Sequence, residues 1–182
     1  MSKMVKDKKI LLGVTGSIAA YKAADIIRRL KEKGYAVSVV MTQEAEKFIT
    51  PLTLGSLCGE KVYQDMFEDD QSWSMRHITL AREVDVFLIA PTTANVIGKI
   101  ANGLADDLVT STAMATKAKI IMAPAMNEGM YRNKIVQGNI KKLRELGVQF
   151  VEPIQGSLAC GTFGEGHLAE IEDILKAVGE AL

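Results

Sequence analysis

The sequence predicts an α/β fold, a doubly wound parallel sheet of about six strands in three layers. Two observations lead to this prediction. Short, continuous apolar runs alternate along the chain with segments that have the apolar periodicity of amphipathic helices. Within the runs, apolar residues do not alternate with polar ones, which is typical of parallel strands covered by helices on both faces. Right-handed crossovers are then expected to join the strands of this sheet.

Length and composition limit the possible functions. We expect the 182 residues, 1–182, to form a single domain. The 22 Lys and Arg balance the 22 Asp and Glu, so no basic excess predicts binding to nucleic acid or an anionic membrane. The first apolar run is too short for a signal peptide or a membrane span, which favours a cytoplasmic protein. Cys58 and Cys160 lack the spacing of a zinc site or disulfide scaffold, so no metal is expected.

The first half of the chain begins with a strand and a capped helix. Ser17 is predicted to cap that helix, whose apolar stripe runs to Leu30 and which ends at Gly34. Thr42 could cap a second helix, and Pro51 suits the first turn of a third. The predicted elements are strand 9–14, helix 17–34, strand 36–41, helix 43–49, helix 51–58 and a weak strand 61–63, followed by an acidic loop 65–70 that leads to His77.

The second half repeats the same alternation. Its most regular strand, 84–90, is continuous, apolar and closed by Pro91. The predicted elements are strand 84–90, helix 92–100, helix 106–116, strand 119–123, a long helix 128–146, strand 149–151 and helix 168–182, with a glycine-rich loop at 156–166 before the last helix. This succession indicates a flavodoxin-like or Rossmann-like architecture, in which ligands bind at the carboxyl ends of the strands.

Hydroxyl side chains follow several of these strands. Ser17, Thr42, Thr92 and Thr93 all lie at predicted strand ends, where hydroxyls and helix-start amides suit a single phosphate. The GxGxxG dinucleotide fingerprint and the GK[ST] motif are both missing, and no acidic residue ends the second strand. A mononucleotide such as FMN therefore fits better than NAD. The alternative, that each hydroxyl only caps a helix, stays open from the pattern alone.

Two further strand ends carry an amide and a thiol. Asn127 follows the strand 119–123, and Cys160 lies in the glycine-rich loop. Together they suggest a reaction site, although an ordinary turn and a stray cysteine would explain each one singly. Residues 153–166 contain no Lys or Arg, so nothing nearby in sequence lowers the pKa of the Cys160 thiol. A protonated thiol of this kind favours a role as an acid rather than as a nucleophile. Cys58, in an apolar helix, is interpreted as a core residue.

Five motifs occur in an order that resembles one family. They are GSIAA at 16–20, HI at 77–78, PTTAN at 91–95, PAMNEGM at 124–130 and ACGTFGEG at 159–166. The chain is similar, from about residue 9 to its last helix, to the homo-oligomeric flavin-containing cysteine decarboxylases. The match is strongest to the branch that acts on 4'-phosphopantothenoylcysteine. Two positions depart from that pattern: His167 replaces a usual Arg, and Tyr131 stands where Trp is also common.

The resemblance implies a cofactor, a reaction and an assembly. FMN would lie at a subunit interface of a homotrimer, or of a dodecamer built from trimers. The substrate, 4'-phosphopantothenoylcysteine, would be oxidised transiently to a thioaldehyde, lose CO2 and be reduced again to 4'-phosphopantetheine in coenzyme A biosynthesis. The implied cofactor contacts are Gly16, Ser17, Ile18, Thr42, Thr93, Ala94, Asn95 and Ala125, and the implied substrate contacts are Arg82, Asn127, Met130, Ala159 and Cys160.

The resemblance also implies catalytic roles for His77, Asn127 and Cys160. Asn127 would hold the substrate carboxylate, and Cys160 would donate the last proton. His77 is a candidate acid or base in the oxidative half-reaction, since the ordinary pKa of histidine lies near neutrality. A structural histidine, a helix-capping asparagine and a solvated Arg82 are the alternatives at these positions.

Other functions remain to be separated from this one. A peptide-cysteine decarboxylase of the same family would share FMN and Asn127. A non-catalytic electron-transfer flavoprotein would need neither the Asn segment nor the thiol, and a regulatory relative would be expected to lack His77 or Cys160, which are both present. The chain stops where bifunctional relatives continue into a ligase, so we expect a stand-alone enzyme or an excised domain.

Overall fold

The computed structural model describes residues 8–67, 75–157 and 163–182 and confirms the doubly wound α/β fold. The main sheet consists of five parallel strands: β1 (Lys9–Val14), β2 (Ala36–Met41), β3 (Val86–Thr92), β4 (Lys119–Pro124) and β5 (Gln149–Phe150). Their order across the sheet is β2-β1-β3-β4-β5. This is the flavodoxin-like order, and its switch point lies between β1 and β3, where a ligand crevice is expected.

Helices cover both faces of this sheet. They are α1 (Ala23–Glu32), α2 (Pro51–Cys58), α3 (Arg76–Glu83), α4 (Ala94–Ala101), α5 (Leu108–Ala115), α6 (Glu128–Tyr131), α7 (Lys134–Glu145) and α8 (Ile171–Ala181). On one face, Ile10 and Leu12 of β1 pack in a core with α1, α2 and α8. On the other face, Leu11 packs in a core with α3, α4, α5 and α7. Burial on both faces explains why the strands read as continuous apolar runs.

The predicted helix starts and stops in this frame are largely confirmed. Ser17 accepts a hydrogen bond from the backbone N–H of Ala19 and begins a 3-10 turn that leads into α1. Asp107 and Thr110 form a reciprocal capping box at the start of α5. Gly59 ends α2 with a left-handed φ of 82°. Local capping chemistry therefore places these element boundaries close to where the sequence predicts them.

The predicted helix 43–49 is wrong. The structure has only a 3-10 turn there, Ala45–Lys47, and the hydroxyl of Thr42 has no hydrogen-bond partner among the described residues. Thr50 adopts an extended backbone conformation and caps α2 with its own side chain. Because a residue that precedes proline disfavours the helical conformation, Pro51 requires any preceding helix to stop by Thr50. Too few residues then remain between β2 and α2 for a stable helix.

The weak strand predicted at 61–63 is reduced to a single bridge. Tyr63 pairs with Val40 of β2, with its N–H donating to Val39 and its C=O accepting from Met41. Across residues 8–67, 75–157 and 163–182, the parallel sheet therefore has five strands instead of about six. The strand predicted at 84–90 begins and ends two residues later, as β3, and continues through Pro91 and Thr92. The N–H of Ala125 donates to the Thr92 carbonyl at the end of this strand. The last helix begins three residues later than predicted, at Ile171, after the buried Leu168.

The predicted long helix 128–146 is split into α6 and α7. Asn133 has an extended backbone conformation, and its side chain accepts a hydrogen bond from the N–H of Ile135. The Gln137 side chain donates to the carbonyl of Tyr131 at 2.6 Å and so satisfies the end of α6. An asparagine cap thus starts a new helix inside a segment whose apolar spacing alone would suit one helix.

The glycine-rich loop is partly a β-hairpin. Strands β6 (Ile154–Ser157) and β7 (Phe163–His167) pair antiparallel, outside the main sheet. The predicted site residues Ala159 and Cys160 lie between them, outside the described residues. No helix in the described part of the chain is long and apolar enough to cross a membrane.

Candidate active site

One cleft of about 630 Å³ opens at the carboxyl ends of β1, β2, β3 and β4. All eight predicted cofactor contacts line it: Gly16, Ser17, Ile18, Thr42, Thr93, Ala94, Asn95 and Ala125. They come from segments up to 109 positions apart in sequence, since Gly16 and Ala125 both line the cleft. The parallel topology brings them together because the carboxyl ends of all these strands lie at one edge of the sheet. The cleft has the size typical of cofactor sites.

The residues that follow β1, β2 and β3 form what we call the cofactor wall: Gly16, Ser17, Ile18, Thr42, Thr93, Ala94 and Asn95. Two hydrogen bonds through the buried Thr15 side chain hold this wall in place. The Thr15 hydroxyl donates to the carbonyl of Pro91 at 2.8 Å and accepts from the N–H of Thr93 at 3.0 Å. The ends of β1 and β3 are therefore joined by a fully buried side chain. Sequence reasoning missed Thr15, because a threonine at a strand end carries no signal of its partner.

Close packing at Gly16 completes the cofactor wall. A Cβ atom at this position would overlap the Cβ of Glu44, on the segment that follows β2. The ends of β1 and β2 therefore approach each other more closely than any side chain at residue 16 would allow. This gives a physical reason for glycine in the GSIAA motif, where backbone must come near the ligand.

The hydroxyls of the cofactor wall do not all play the same part. Ser17 and Thr93 cap helical turns, as the capping alternative predicted, and they line the cleft as well. Thr92, which precedes this wall at the end of β3, is not among the residues that line the cleft; it is fully buried and donates to the carbonyl of Ile89 at 2.6 Å. Thr42 is only 5% exposed, and its hydroxyl has no hydrogen-bond partner in the described structure. A buried hydroxyl without a partner costs free energy, so Thr42 fits a polar ligand group that binds in the cleft.

The residues that follow β4, together with the end of β7, form what we call the Asn127 wall: Ala125, Met126, Asn127, Met130, Gly166, His167 and Leu168. The Asn127 carboxamide oxygen accepts a hydrogen bond from the N–H of Gly129 at 2.8 Å and so caps α6. Because this bond fixes the orientation of the amide, its NH2 edge is the side that can donate to a ligand. Capping and ligand binding are therefore compatible at Asn127.

Strand β7 lies directly against the Asn127 segment. The N–H of Met126 donates to the carbonyl of Gly166 at 3.0 Å. Gly166 has a φ of +137°, and a Cβ atom there would overlap the Met126 carbonyl oxygen. A side chain at residue 166 would thus be excluded both by backbone conformation and by space. The backbone of the hairpin sets the position of the Asn127 segment.

Charged side chains add weaker contacts across the same junction. Arg132 pairs with Glu128 at 3.0 Å and with Glu165 of β7 at 3.4 Å. Tyr131 donates from its hydroxyl to Glu152 at 2.7 Å, and burial together with this bond raises the pKa of Tyr131. The Arg132 side chain is 61% exposed, so its ion pairs stabilise this junction only slightly.

Two predicted site residues lie away from the cleft. His77 and Arg82 are on α3, and neither is among the described residues that line it. Arg82 instead lines a separate cavity with Asp85 and Lys117, near the amino ends of β3 and β4. Met130 does line the cleft, and its side chain is 50% exposed at the rim. A single chain thus assembles the predicted cofactor contacts together with Asn127 and Met130.

The cleft also contains residues that sequence reasoning did not assign to it. These are Ala19, Tyr21, Lys22, Glu44, Val96, Met126, Gly166, His167 and Leu168. Tyr21 and Lys22 lie in the 3-10 turn that Ser17 begins, and spacing along that turn could have suggested the same side as Ile18. His167 could not have been placed in this way, because its position depends on the hairpin.

Comparison with known proteins places the chain among flavoproteins. A family model described as Flavoprotein matches residues 1–182. A probable phosphopantothenoylcysteine decarboxylase from Streptococcus mutans is 45% identical over 177 residues, which is 96% of this chain and 99% of that protein. The coenzyme A biosynthesis bifunctional protein CoaBC of Bacillus subtilis is 44% identical over 173 residues. That match covers 95% of this chain and 43% of CoaBC, so the chain spans less than half of this longer relative.

Solved structures of decarboxylases are also similar to this chain. A PPC decarboxylase mutant complexed with pantothenoylaminoethenethiol is similar with a TM-score of 0.87 and 32% identity, covering 96% of this chain and 98% of that one. The FMN-dependent cysteine decarboxylase SpaF is similar with a TM-score of 0.84 and 31% identity, covering 96% of this chain and 94% of that one. Each of these likenesses covers nearly the whole chain. The chain therefore belongs to the Flavoprotein family, to the part of it that holds the phosphopantothenoylcysteine decarboxylases.

Proposed function

We propose that this chain is an FMN-dependent carboxy-lyase that converts 4'-phosphopantothenoylcysteine to 4'-phosphopantetheine in coenzyme A biosynthesis. One observation carries the proposal: the eight predicted cofactor contacts and Asn127 line one cleft. The similarity to phosphopantothenoylcysteine decarboxylases over nearly the full chain supports the same substrate. We also propose that residues 1–182 act as one domain.

The cofactor wall would hold FMN. Ser17 and Thr42 would meet its phosphate, which gives the buried Thr42 hydroxyl the partner that it lacks within the described chain. Thr93, Ala94, Asn95 and Ala125, at the ends of β3 and β4, would contact the rest of the cofactor. When bound, FMN supplies reversible two-electron oxidation of the carbon that bears the thiol, which provides the electron sink that decarboxylation needs.

Asn127 would bind the substrate carboxylate through its NH2 edge. The carboxylate disappears in the reaction, so a full positive charge would stabilise the ground state more than the transition state and raise the barrier. A neutral amide can orient the carboxylate without this cost. Its orientation is already held by the hydrogen bond from Gly129, so little freedom is lost when the substrate binds.

Cys160 would donate the final proton to the substrate carbon. This assignment rests on the sequence, in which residues 153–166 contain no Lys or Arg that would favour the thiolate. A protonated thiol can then act as a general acid when the ene-thiolate is reduced. Ala159 and Met130 would contact the substrate beside it.

His77 and Arg82 would complete the site from a second subunit. Both are predicted to contact substrate, yet within one chain α3 does not reach the cleft. The rim of the cleft exposes the apolar side chains of Ile18 and Tyr21, at 57% and 59%, which supports a subunit contact there. We therefore propose a homo-oligomer, a trimer or an assembly of trimers, with FMN at the interface.

The test uses the purified protein. We expect a flavin absorbance spectrum that is lost together with the oligomer on dilution or mild denaturation, since each would stabilise the other. Mass spectrometry after incubation with 4'-phosphopantothenoylcysteine should detect a product lighter by CO2. A peptide that ends in cysteine serves as the competing substrate, and conversion of that peptide alone would identify a peptide-cysteine decarboxylase. A colourless monomer that binds no added FMN would refute the proposal.

A further inference from the structure

The inference concerns the second phosphate that the cleft would have to receive. FMN and 4'-phosphopantothenoylcysteine each carry a phosphate monoester, so on the proposed function two anionic groups bind in the same cleft. The hydroxyls of Ser17 and Thr42 offer polar contacts for one phosphate. A second phosphate needs a partner of its own, since two anionic groups in one site repel each other.

Lys22 is the one Lys or Arg among the described residues that line the cleft. It is partly buried at the end of the 3-10 turn that follows Ser17. Its ammonium group makes no ion pair or hydrogen bond with any other described residue. Glu44, the acidic side chain of the cleft in the described chain, forms no salt bridge with it. A partly buried, unpaired cation inside a ligand cleft is positioned to bind an anionic ligand.

His167 is the second basic side chain among the described residues that line the cleft, and it lies on a different wall from Lys22. Its ring Nδ1 lies 3.0 Å from the carbonyl oxygen of Leu168, so this nitrogen donates to the backbone. His167 follows Gly166, whose carbonyl binds the Met126 N–H, and it therefore lies on the Asn127 wall. That wall is assigned to the carboxylate end of the substrate, which leaves Lys22 for the phosphate end.

The separation of the strands that precede Lys22 and Asn127 suits the length of the substrate. Lys22 follows β1 and Asn127 follows β4, and β3 alone lies between these strands. Two strand spacings are about 10 Å, and the lysine side chain adds about 6 Å to its reach. About twelve bonds separate the carboxylate carbon from the phosphorus of 4'-phosphopantothenoylcysteine, which is about 14 Å when extended at polypeptide bond lengths. A substrate with its carboxylate at Asn127 can thus bring its phosphate to Lys22.

We infer that Lys22 binds the 4'-phosphate of the substrate and so makes the enzyme select the phosphorylated over the unphosphorylated thiol. This inference rests on the proposed function. The residue acts as a point charge with three N–H donors, which tolerates the varied approach of a phosphate at the end of a flexible chain.

The experiment compares two substrates, 4'-phosphopantothenoylcysteine and pantothenoylcysteine, with the FMN-loaded oligomer. We expect Lys22→Gln to lower kcat/KM for the phosphorylated substrate about 10–100-fold more than for the unphosphorylated one, as loss of a hydrogen bond to a charged group predicts. Lys22→Arg should retain most of the preference. Lys33→Gln is the matched control, because Lys33 is an exposed lysine outside the cleft, and it should leave the preference unchanged.

A second measurement does not depend on turnover. Calorimetric titration of the FMN-loaded protein with 4'-phosphopantothenate and with pantothenate should show tighter binding of the phosphorylated compound, and Lys22→Gln should remove that difference. The inference would be overturned if Lys22→Gln lowered kcat/KM equally for both substrates and weakened the binding of both ligands equally. It would also be overturned by weaker FMN binding in Lys22→Gln with an unchanged substrate preference, since the phosphate at Lys22 would then be that of the cofactor.

Failure of the proposed function gives a different result from failure of this inference. If the wild-type protein converts neither substrate, the proposed function is wrong, and calorimetry alone decides the role of Lys22. Selective, Lys22-dependent binding of 4'-phosphopantothenate would then still support a phosphate site. Absence of such binding would overturn it.

Discussion

The two walls of the cleft are built in different ways. In the cofactor wall, the buried Thr15 side chain joins the ends of β1 and β3 through two hydrogen bonds. In the Asn127 wall, Asn127 is exposed, and one backbone hydrogen bond from Met126 to Gly166 is joined by surface ion pairs. Buried, fully satisfied hydrogen bonds hold geometry more firmly than exposed charge pairs do. The difference fits a cofactor wall that holds a tightly bound cofactor rigidly and an Asn127 wall at which substrate binds and product leaves.

The largest expected effect is in the Asn127 wall. Asn127→Asp should keep the cap on α6, because aspartate accepts the Gly129 N–H equally well, and the fold should survive. It removes the NH2 donor and sets a negative charge against the substrate carboxylate. We expect kcat/KM to fall about 10³-fold or more, with weaker substrate binding as well as slower turnover. Steady-state kinetics and circular dichroism would measure the two effects.

Asn133→Asp is the control for that variant. Asn133 caps α7 through its side chain, as Asn127 caps α6, but it does not line the cleft. The control should lose neither stability nor activity. Near-normal kcat/KM in Asn127→Asp would remove Asn127 from the site and leave it as a helix cap only.

The next prediction concerns Cys160→Ser. Oxidation and loss of CO2 precede the proposed proton donation, so both should continue, whereas reduction of the ene-thiolate should slow about 10²–10³-fold because serine is a much weaker acid. The variant should therefore release a product two hydrogens lighter than 4'-phosphopantetheine, detected by mass spectrometry. Cys58→Ser, a change at a buried thiol in the core, should make the ordinary product.

Either of two results would contradict the role of Cys160. Ordinary 4'-phosphopantetheine made at the normal rate would show that another group donates the proton. No CO2 at all would show that the thiol acts before decarboxylation, and Cys160 would then belong to the oxidative half-reaction instead of the reductive one.

Gly166→Ala tests how the Asn127 wall is positioned. The added Cβ would overlap the Met126 carbonyl and would require an unfavourable φ, so the free energy of unfolding should fall by about 1–3 kcal/mol. Gly138→Ala is the matched control, because its Cβ would meet nothing in α7 and should stabilise by about 0.5–1 kcal/mol. Urea unfolding of both variants measures the contrast. Equal changes in the free energy of unfolding would mean that β7 does not pack closely against the Asn127 segment.

Thr42→Val makes the smallest predicted change and tests the cofactor wall. It replaces a buried hydroxyl without a partner by a methyl group, so apoprotein stability should stay equal or rise by about 1 kcal/mol. FMN should bind about 10-fold more weakly, because the phosphate loses a hydrogen bond. Thr112→Val is the matched control: Thr112 is also buried without a partner, but it does not line the cleft. Fluorescence titration with FMN separates the two, and equal FMN affinities would remove Thr42 from the phosphate site.

Much of the fold and of the cofactor wall is predictable from the sequence because the signals are local. Apolar runs mark the strands, and caps such as Ser17, Thr93 and Asp107 mark helix starts within a few residues. Predictions of helix bounds failed where a second residue nearby in sequence opposed the helical pattern. Pro51 left too few residues after β2 for a stable helix at 43–49, and the Asn133 cap divided the helix predicted over 128–146.

By itself, the sequence determined that the chain folds as a doubly wound sheet and that its hydroxyls, its Asn127 segment and its glycine-rich segment follow strands. The tertiary structure alone decided that Thr42 has no hydrogen-bond partner in the described part of the chain, that Lys22 lines the cleft and that His77 and Arg82 do not. Capping and periodicity depend on residues three or four positions apart, which a sequence displays directly. Side-chain neighbours depend instead on strand order, which sets β1 beside β3 and so joins Thr15 to Pro91, 76 positions away.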